Sequence, residues 1–232
     1  MGTTELSSAA RMDRATEYKL YRLFRTFFEQ AEDNRNWNLW KDIPWHDAKR
    51  SPAPELVSAV MTAYREALFL PDYSSYTLKA LRSSRGRAWF LTRWSYEEGK
   101  HLLALGEWFV KTHTVTDNDL KALSNELLAH YKWEPPFHDA PALFVDALLY
   151  ENQEIEQMTA IHRLAEASGD TALTLLMEKI LADEAAHQAF FREALACIGE
   201  TYPERVRDAI ARITEGDTNA QEELLRLVNL SA

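Results

Sequence analysis

Two Glu-x-x-His pairs are the residues whose type and spacing most clearly suggest metal chemistry in this chain. Glu98 precedes His101 by three positions, and Glu184 precedes His187 by the same interval. Residues i and i+3 lie on one face of an α-helix, so each pair would present a carboxylate and an imidazole on the same side. A single pair of this kind is weak, because an ordinary core pair or an exposed helix pair has the same spacing.

Each pair lies on a helix face that is otherwise apolar. The neighbours along these two faces are Trp94, Leu105, Trp108, Ile180, Phe191 and Ala194. A carboxylate at a core position is very costly unless cations neutralise it. The apolar surroundings therefore favour a buried metal site over a pair of solvated faces.

The helix that precedes each pair offers a further Glu on an apolar stripe, Glu66 in one case and Glu154 in the other. The number of residues between Glu66 and Glu154 nearly equals the number between the two Glu-x-x-His pairs. A pseudo-two-fold axis would therefore bring four carboxylates and two imidazoles together. Such a set balances two divalent cations and is typical of di-iron or di-manganese carboxylate bundles, although the sequence leaves zinc open. The predicted metal ligands are Glu66, Glu98, His101, Glu154, Glu184 and His187.

Two of these assignments leave alternatives open. Glu66 is chosen because it is the Glu near the required position, and Glu154 competes with Glu151 and Glu156. Glu151 lies one turn earlier on nearly the same face. Glu97 is expected to lie off the face, in solvent.

The sequence predicts an all-α protein with a ferritin-like four-helix core bundle and additional flanking helices. The expected bundle helices cover residues 54–70, 87–112, 140–168 and 170–198. We expect one domain over residues 1–232: an N-terminal helix and Trp-rich connection within 1–50, the bundle core at 54–198, and C-terminal helices within 199–232. Gly169 and Asp170 are expected to end one long helix and cap the next.

Composition excludes several classes of function. The chain has 232 residues and a net charge of −10, which disfavours nucleic-acid binding. Its one cysteine, Cys197, allows neither an internal disulfide nor a cysteine-bound cluster. The N-terminus lacks the apolar stretch of a secretory signal, and there is no apolar run long enough to span a membrane, so a cytoplasmic protein is expected.

Four segments resemble the soluble acyl-acyl carrier protein (acyl-ACP) desaturases of plants and actinobacteria. Residues 93–101 read Arg-Trp-Ser-Tyr-Glu-Glu-Gly-Lys-His and residues 183–187 read Asp-Glu-Ala-Ala-His, and both are fairly specific. Gln153-Glu154 and the Leu-Pro-Asp-Tyr segment at 70–73 are softer matches. The resemblance covers roughly residues 35–198.

The resemblance implies a di-iron enzyme that uses O2 to desaturate a fatty acyl chain carried by a carrier protein. It implies the same six metal ligands and a homodimer. It also implies a ferredoxin-type electron donor, since the chain has no nucleotide-binding glycine fingerprint of its own. It also implies a relay of Trp37, Asp183 and His101 that carries electrons to the metals. A packing anchor is an equally good reading of Trp37, and a solvated face is an alternative for Asp183.

The chain departs from the family at two positions. Glu66 lies five residues before Pro71, where the family has four, and Gln157 stands where a Thr usually follows the third ligand. Because groups beside the iron steer the reaction, Gln157 leaves hydroxylation or another oxygenation open. A ferritin-like ferroxidase or iron-binding protein is a further alternative. The segment between Asp72 and Glu97 has no acidic residue and suggests a docking patch for an acidic carrier or a phosphopantetheine phosphate, or else a solvated loop. Its basic residues are Lys79, Arg82, Arg85, Arg87 and Arg93.

Overall fold

The computed structural model describes residues 12–135 and 139–230. Its regular elements are helices: α1 Arg14–Gln30, α2 Pro54–Ala67, α3 Leu70–Leu81, α4 Arg85–Lys111, α5 Asp117–His130, α6 Ala140–Ser168, α7 Thr171–Gly199, α8 Pro203–Ile213 and α9 Thr218–Leu227. A π-helical turn, Ala31–Arg35, extends α1, and a 3-10 turn, Trp45–Asp47, lies in the Trp-rich connection. The all-α prediction is confirmed. The parts of the predicted domain at 1–11, 136–138 and 231–232 lie outside the described residues.

The two longest helices, α6 and α7, are joined by a tight reversal that local chemistry explains. Gly169 ends α6 with a φ of 73°, a left-handed conformation that glycine adopts without strain. Asp170 follows at once and accepts a hydrogen bond from the Leu173 backbone N–H, which caps α7. The two helices therefore run antiparallel along their whole length, as predicted.

Helices α2, α4, α6 and α7 form the four-helix core, and α1 packs across α4 and α7. Gly86 allows the close approach of α1 to α4, since a Cβ there would lie 2.4 Å from the Leu20 carbonyl carbon. Helices α8 and α9 cover the far end of the bundle. Among the described residues, none of the helices combines the length and the apolar character that a membrane span requires.

The bundle has two apolar cores with a polar layer between them. One core contains Leu20, Phe90 and Phe191, and the other contains Trp108 and Ile180. On α4, α6 and α7, the segments 97–101, 151–154 and 183–187 fall between the residues of the two cores. The buried polar residues of this layer are Glu97, Glu98, Lys100, His101, Glu151, Glu154, Asp183, Glu184 and His187.

The first bundle helix ends earlier than expected. We predicted a helix over residues 54–70, whereas α2 ends at Ala67, with Leu68 as its C-cap. Helix α3 begins at Leu70 and has Pro71 in its first turn, where proline is well tolerated. The chain therefore turns immediately after Glu66, which bears on the position of that side chain.

Candidate metal centre

Helices α4 and α7 each place one carboxylate so that it faces both imidazoles. His101 Nδ1 lies 3.0 Å from Glu184 Oε1 and 3.8 Å from Glu98 Oε2. His187 Nδ1 lies 3.1 Å from Glu98 Oε1 and 3.4 Å from Glu184 Oε2. The two Glu-x-x-His pairs are therefore related by an approximate two-fold axis, and each carboxylate is placed to join the two halves of the site.

Helix α6 supplies two more carboxylates to this layer. Glu151 is fully buried, its Oε1 accepts a 2.7 Å hydrogen bond from Trp94 Nε1, and its Oε2 lies 3.6 Å from His187 Nδ1. Glu154 is 6% exposed and accepts a 2.8 Å hydrogen bond from the Tyr150 hydroxyl. One ligand atom each from Glu98, Glu151, Glu184 and His187 lies within 4.8 Å of the others.

The site fits a cation because several of its buried oxygen and nitrogen atoms face one another without forming a hydrogen bond. Among the described residues, the site atoms that are buried without a hydrogen bond are Glu98 Oε1, His101 Nδ1, Glu151 Oε2, Glu154 Oε2 and Glu184 Oε1. An unsatisfied buried polar atom costs about 1–3 kcal/mol, and more when it is charged. Two divalent cations would satisfy these atoms together, and oxygen with imidazole suits iron or manganese.

The pKa values of the site show how strongly the bare groups interact. Burial, and then the charge of Glu184, raises the pKa values of Glu151 and Glu154 well above the ordinary glutamate value. Burial alone would lower the pKa values of both histidines, but the surrounding carboxylates raise them well above the usual range. The metal-free cluster therefore holds protons that a bound cation would displace.

Each imidazole is fixed from behind by a carboxylate of the opposite helix. Asp183 Oδ2 lies 3.1 Å from His101 Nε2, and Glu97 Oε2 lies 2.9 Å from His187 Nε2. Binding of Nε2 to a carboxylate sets the tautomer that leaves Nδ1 free for a metal. The expectation that Glu97 lies in solvent is wrong, since its side chain is completely buried beneath Arg35 and Arg93.

Asp183 connects His101 to two further hydrogen-bond donors. Its carboxylate accepts hydrogen bonds of 2.8 Å from Trp37 Nε1 and 2.7 Å from Arg35 Nη1. Burial would raise the pKa of Asp183, but the donors around it, His101 first, hold that pKa well below its usual range. The Trp37 ring is buried and stacks at 5° to the His101 ring, with centroids 6.3 Å apart. Trp37, Asp183 and His101 are thus in continuous contact.

Glu66 and Gln157 lie apart from the clustered carboxylates. The Glu66 side chain is exposed, and its Oε2 accepts a 2.8 Å hydrogen bond from Gln157 Nε2. Glu66 belongs to the last turn of α2, which ends at Ala67. The structure thus brings together Glu98, His101, Glu154, Glu184 and His187 of the predicted set, adds Glu151, and does not bring Glu66 to them.

An apolar cavity of about 520 Å³ reaches the metal layer from the side. Glu98 and Trp94 line its inner wall, whereas Arg65 and Glu66 lie at the exposed rim. The remaining lining residues are mostly apolar and include Phe69, Leu70, Tyr73, Trp133, Leu149 and Tyr150. A molecule in this cavity would touch a candidate metal ligand at one end and solvent at the other.

The predicted basic patch is largely engaged in contacts within the protein. Arg87 is buried and pairs with Glu17 at 2.9 Å, and Arg93 pairs with Glu97 at 2.9 Å. The Arg85 guanidinium lies 4.5 Å from the centre of the Tyr21 ring. Arg87 and Arg85 thus contact α1, whereas Arg82 and Arg85 remain exposed, so a docking patch at this segment stays a prediction.

A ferritin-like domain model matches residues 85–199 of the chain. The chain is also 26% identical over 196 residues to a protein of Mycobacterium tuberculosis named "putative acyl-acyl-carrier-protein desaturase DesA1". The match covers 76% of this chain and 58% of that protein, so the chain spans little more than half of its curated relative's length.

A crystal structure of the same organism's protein, titled as the putative acyl-ACP desaturase DesA2, has a similar fold. The TM-score is 0.56 at 20% identity, and the match covers 93% of this chain and 86% of that one. The helical fold, the buried layer of Glu and His residues and the two relatives all point to the same family. Residues 85–199 are a ferritin-like domain, and the resemblance to the acyl-ACP desaturase family that the sequence predicted is confirmed.

Proposed function

We propose that this protein is an O2-dependent di-iron oxidoreductase that desaturates a fatty acyl chain held as a carrier-protein thioester. The observation that carries the proposal is the buried layer in which two imidazole Nδ1 atoms face shared carboxylates. When bound, a pair of iron ions supplies the activation of O2 needed to remove hydrogen from an unactivated C–H bond. The relatives' names support the acyl-ACP substrate.

The protein's own contribution is to hold the ligands rigidly and to keep water away. Glu98 and Glu184 would help to hold the two ions, since each carboxylate faces both imidazoles. Asp183 and Glu97 orient His101 and His187 from behind. The apolar cores on either side exclude solvent from the layer, which limits side reactions of a strong oxidant.

The cavity beside Glu98 suits an acyl chain. Its apolar wall would bury methylene groups at about 0.8 kcal/mol each. Its open rim lies at the exposed end of α2, where Arg65 and Glu66 would meet the polar thioester end of the substrate. The acyl chain of the substrate would therefore enter the cavity with its methyl end first, and its middle carbons would lie beside the metal layer.

Electrons would enter on another face of α4, through Trp37. A surface groove beside Trp37 is lined by residues that include Trp40, Tyr96 and Leu103. These three side chains are 57–67% exposed, which is unusual for large apolar groups lying together. We assign this groove to a ferredoxin-type donor because it lies directly over the chain of contacts from Trp37 to His101. We also propose that two copies of this protein form a homodimer, as the family resemblance implies.

Metal analysis and product mass test the proposal together. Purified protein should bind close to two equivalents of Fe(II) under argon, and Glu98→Ala and His187→Ala should each lose metal. With a ferredoxin system and acyl-ACP, a single turnover should give a product lighter by two hydrogen atoms. A product that gains one oxygen atom would replace desaturation by hydroxylation. Metal content below one equivalent in all three proteins would end the di-iron proposal.

A further inference from the structure

The carboxylates of the polar layer come from three helices rather than four. Glu98 belongs to α4, Glu184 to α7, and both Glu151 and Glu154 to α6. Helix α2 places its Glu66 on the exposed side, bonded to Gln157. Apart from Glu97 and Asp183, which lie behind the histidines, the four buried carboxylates already balance the charge of two divalent cations, so a further one from α2 is not required for neutrality.

Glu151 has the features expected of a metal ligand. One oxygen is fixed by Trp94 Nε1 at 2.7 Å, which sets the plane of the carboxylate. The other oxygen is buried without a hydrogen bond and lies 3.6 Å from His187 Nδ1. A carboxylate held in this way at no exposure has no water to satisfy it, whereas Glu66 is already solvated and hydrogen-bonded.

We infer that Glu151, and not Glu66, completes the ligand set, so that α6 supplies both carboxylates that do not belong to a Glu-x-x-His pair. The inference rests on the metal centre of the proposed function. Its physical basis is the cost of leaving a carboxylate buried and unpaired, which metal binding relieves at Glu151 and cannot relieve at an exposed side chain. Removal of Glu151 should therefore weaken metal binding, and removal of Glu66 should not.

Titration of the metal-free full-length chain with Mn(II) tests this inference without any turnover. The electron paramagnetic resonance signal of free Mn(II) counts the unbound ion, and the stoichiometry and affinity follow from it. Glu151→Gln should lose one equivalent or bind it at least about tenfold more weakly, the lower end of what even outer partners of metal ligands contribute. Glu66→Gln should keep the wild-type curve.

Two further variants keep the result interpretable. Glu156→Gln changes an exposed glutamate of the same helix and should bind as wild type. Trp94→Phe removes the donor to Glu151 Oε1 and should weaken binding by a smaller factor, and it tests the inference again if Glu151→Gln does not fold. Wild-type stoichiometry and affinity in Glu151→Gln, or loss of an equivalent in Glu66→Gln, would overturn the inference. If the wild-type chain bound no Mn(II) or Fe(II), the proposed function itself would fail.

Discussion

Replacement of Asp183 by Asn should damage both the stability of the metal-free protein and its affinity for metal. Both carboxylate oxygens of Asp183 accept from donors: Oδ2 from Trp37 and His101, and Oδ1 from Arg35. An amide has only one acceptor oxygen, so in either orientation its NH2 group meets at least one donor. The conflict costs about 1–3 kcal/mol, as for any buried donor left unsatisfied.

Loss of the negative charge adds to this cost. The side chains of Arg35 and Lys100 are 12% and 8% exposed, and both lie within 3.5 Å of Asp183. Breaking a buried pair costs about 3–5 kcal/mol, but Glu97, 3.8 Å from Arg35, remains as a partner and reduces that figure. We expect a total of about 3 kcal/mol, or a melting temperature lowered by about 6–12 °C for a chain of this size.

Metal affinity should fall for a separate reason. If the amide NH2 faces His101 Nε2, that nitrogen must accept, and the ring proton moves to Nδ1, the atom that faces Glu184. A protonated Nδ1 cannot bind a metal, and the loss of an outer partner typically weakens affinity about 10–100-fold. Urea unfolding of the metal-free protein and Mn(II) titration measure the two effects independently.

The exposed Asp33, on the π-helical turn, gives a matched control. Asp33→Asn should change the free energy of unfolding by no more than about 0.5 kcal/mol and leave metal affinity intact. The reasoning is refuted if Asp183→Asn unfolds within about 0.5 kcal/mol of wild type and binds metal equally well.

Three further substitutions test the fold and the electron-entry face. Asp170→Ala removes both the cap of α7 and the 2.8 Å partner of Trp108 Nε1, so urea unfolding should show a loss of about 2–4 kcal/mol. Gly86→Ala places a methyl group 2.4 Å from the Leu20 backbone, and the forced separation should cost about 1–3 kcal/mol in the same assay. Trp40→Ala should raise the KM for a ferredoxin donor several-fold in steady-state turnover and leave dithionite-driven turnover unchanged.

Matched positions elsewhere in the chain serve as controls for these three. Asp217→Ala removes only a cap, from α9, and should cost about 1 kcal/mol. A Cβ at Gly99 would meet Leu70 at an ordinary 3.7 Å, so Gly99→Ala should not destabilise α4. Trp89 is also largely exposed, at 58% against 67% for Trp40, but does not line the groove, and Trp89→Ala should leave the donor KM unchanged. Equal effects at target and control would contradict each explanation.

Much of the bundle follows from the sequence because the relevant signals are local. The Glu-x-x-His spacing, the apolar faces and the Gly169-Asp170 reversal each depend on residues within a few turns of one another. The position of Glu66 depends instead on how α2 packs against α4 and α6, which the sequence of α2 alone does not reveal. Glu66 follows the buried Ala63 by three residues, yet its side chain is exposed in the last turn of α2.

The burial of Glu97 does not follow from the sequence of α4, because the pattern of one helix does not show what packs on its other faces. Helix α1 and the turn that follows it cover the side of α4 that a bare four-helix bundle would leave in solvent, and Arg35 comes from that turn. The sequence around the two Glu-x-x-His pairs did contain a signal for this role of Glu97. An acidic residue directly precedes each Glu-x-x-His pair, Glu97 in one and Asp183 in the other, and each binds the histidine of the opposite helix.

The surroundings of Asp183 and Glu97 differ, although both acids bind a histidine in the same way. This difference places the proposed electron path and the proposed substrate cavity on separate surfaces. Asp183 contacts Trp37, which lines the groove over Lys100 and Leu103, whereas Glu97 is enclosed by arginines. The apolar cavity reaches Glu98 from a different side of α4. Electrons and substrate would thus approach the same metal layer from separate surfaces, so a bound acyl carrier would not obstruct the electron donor.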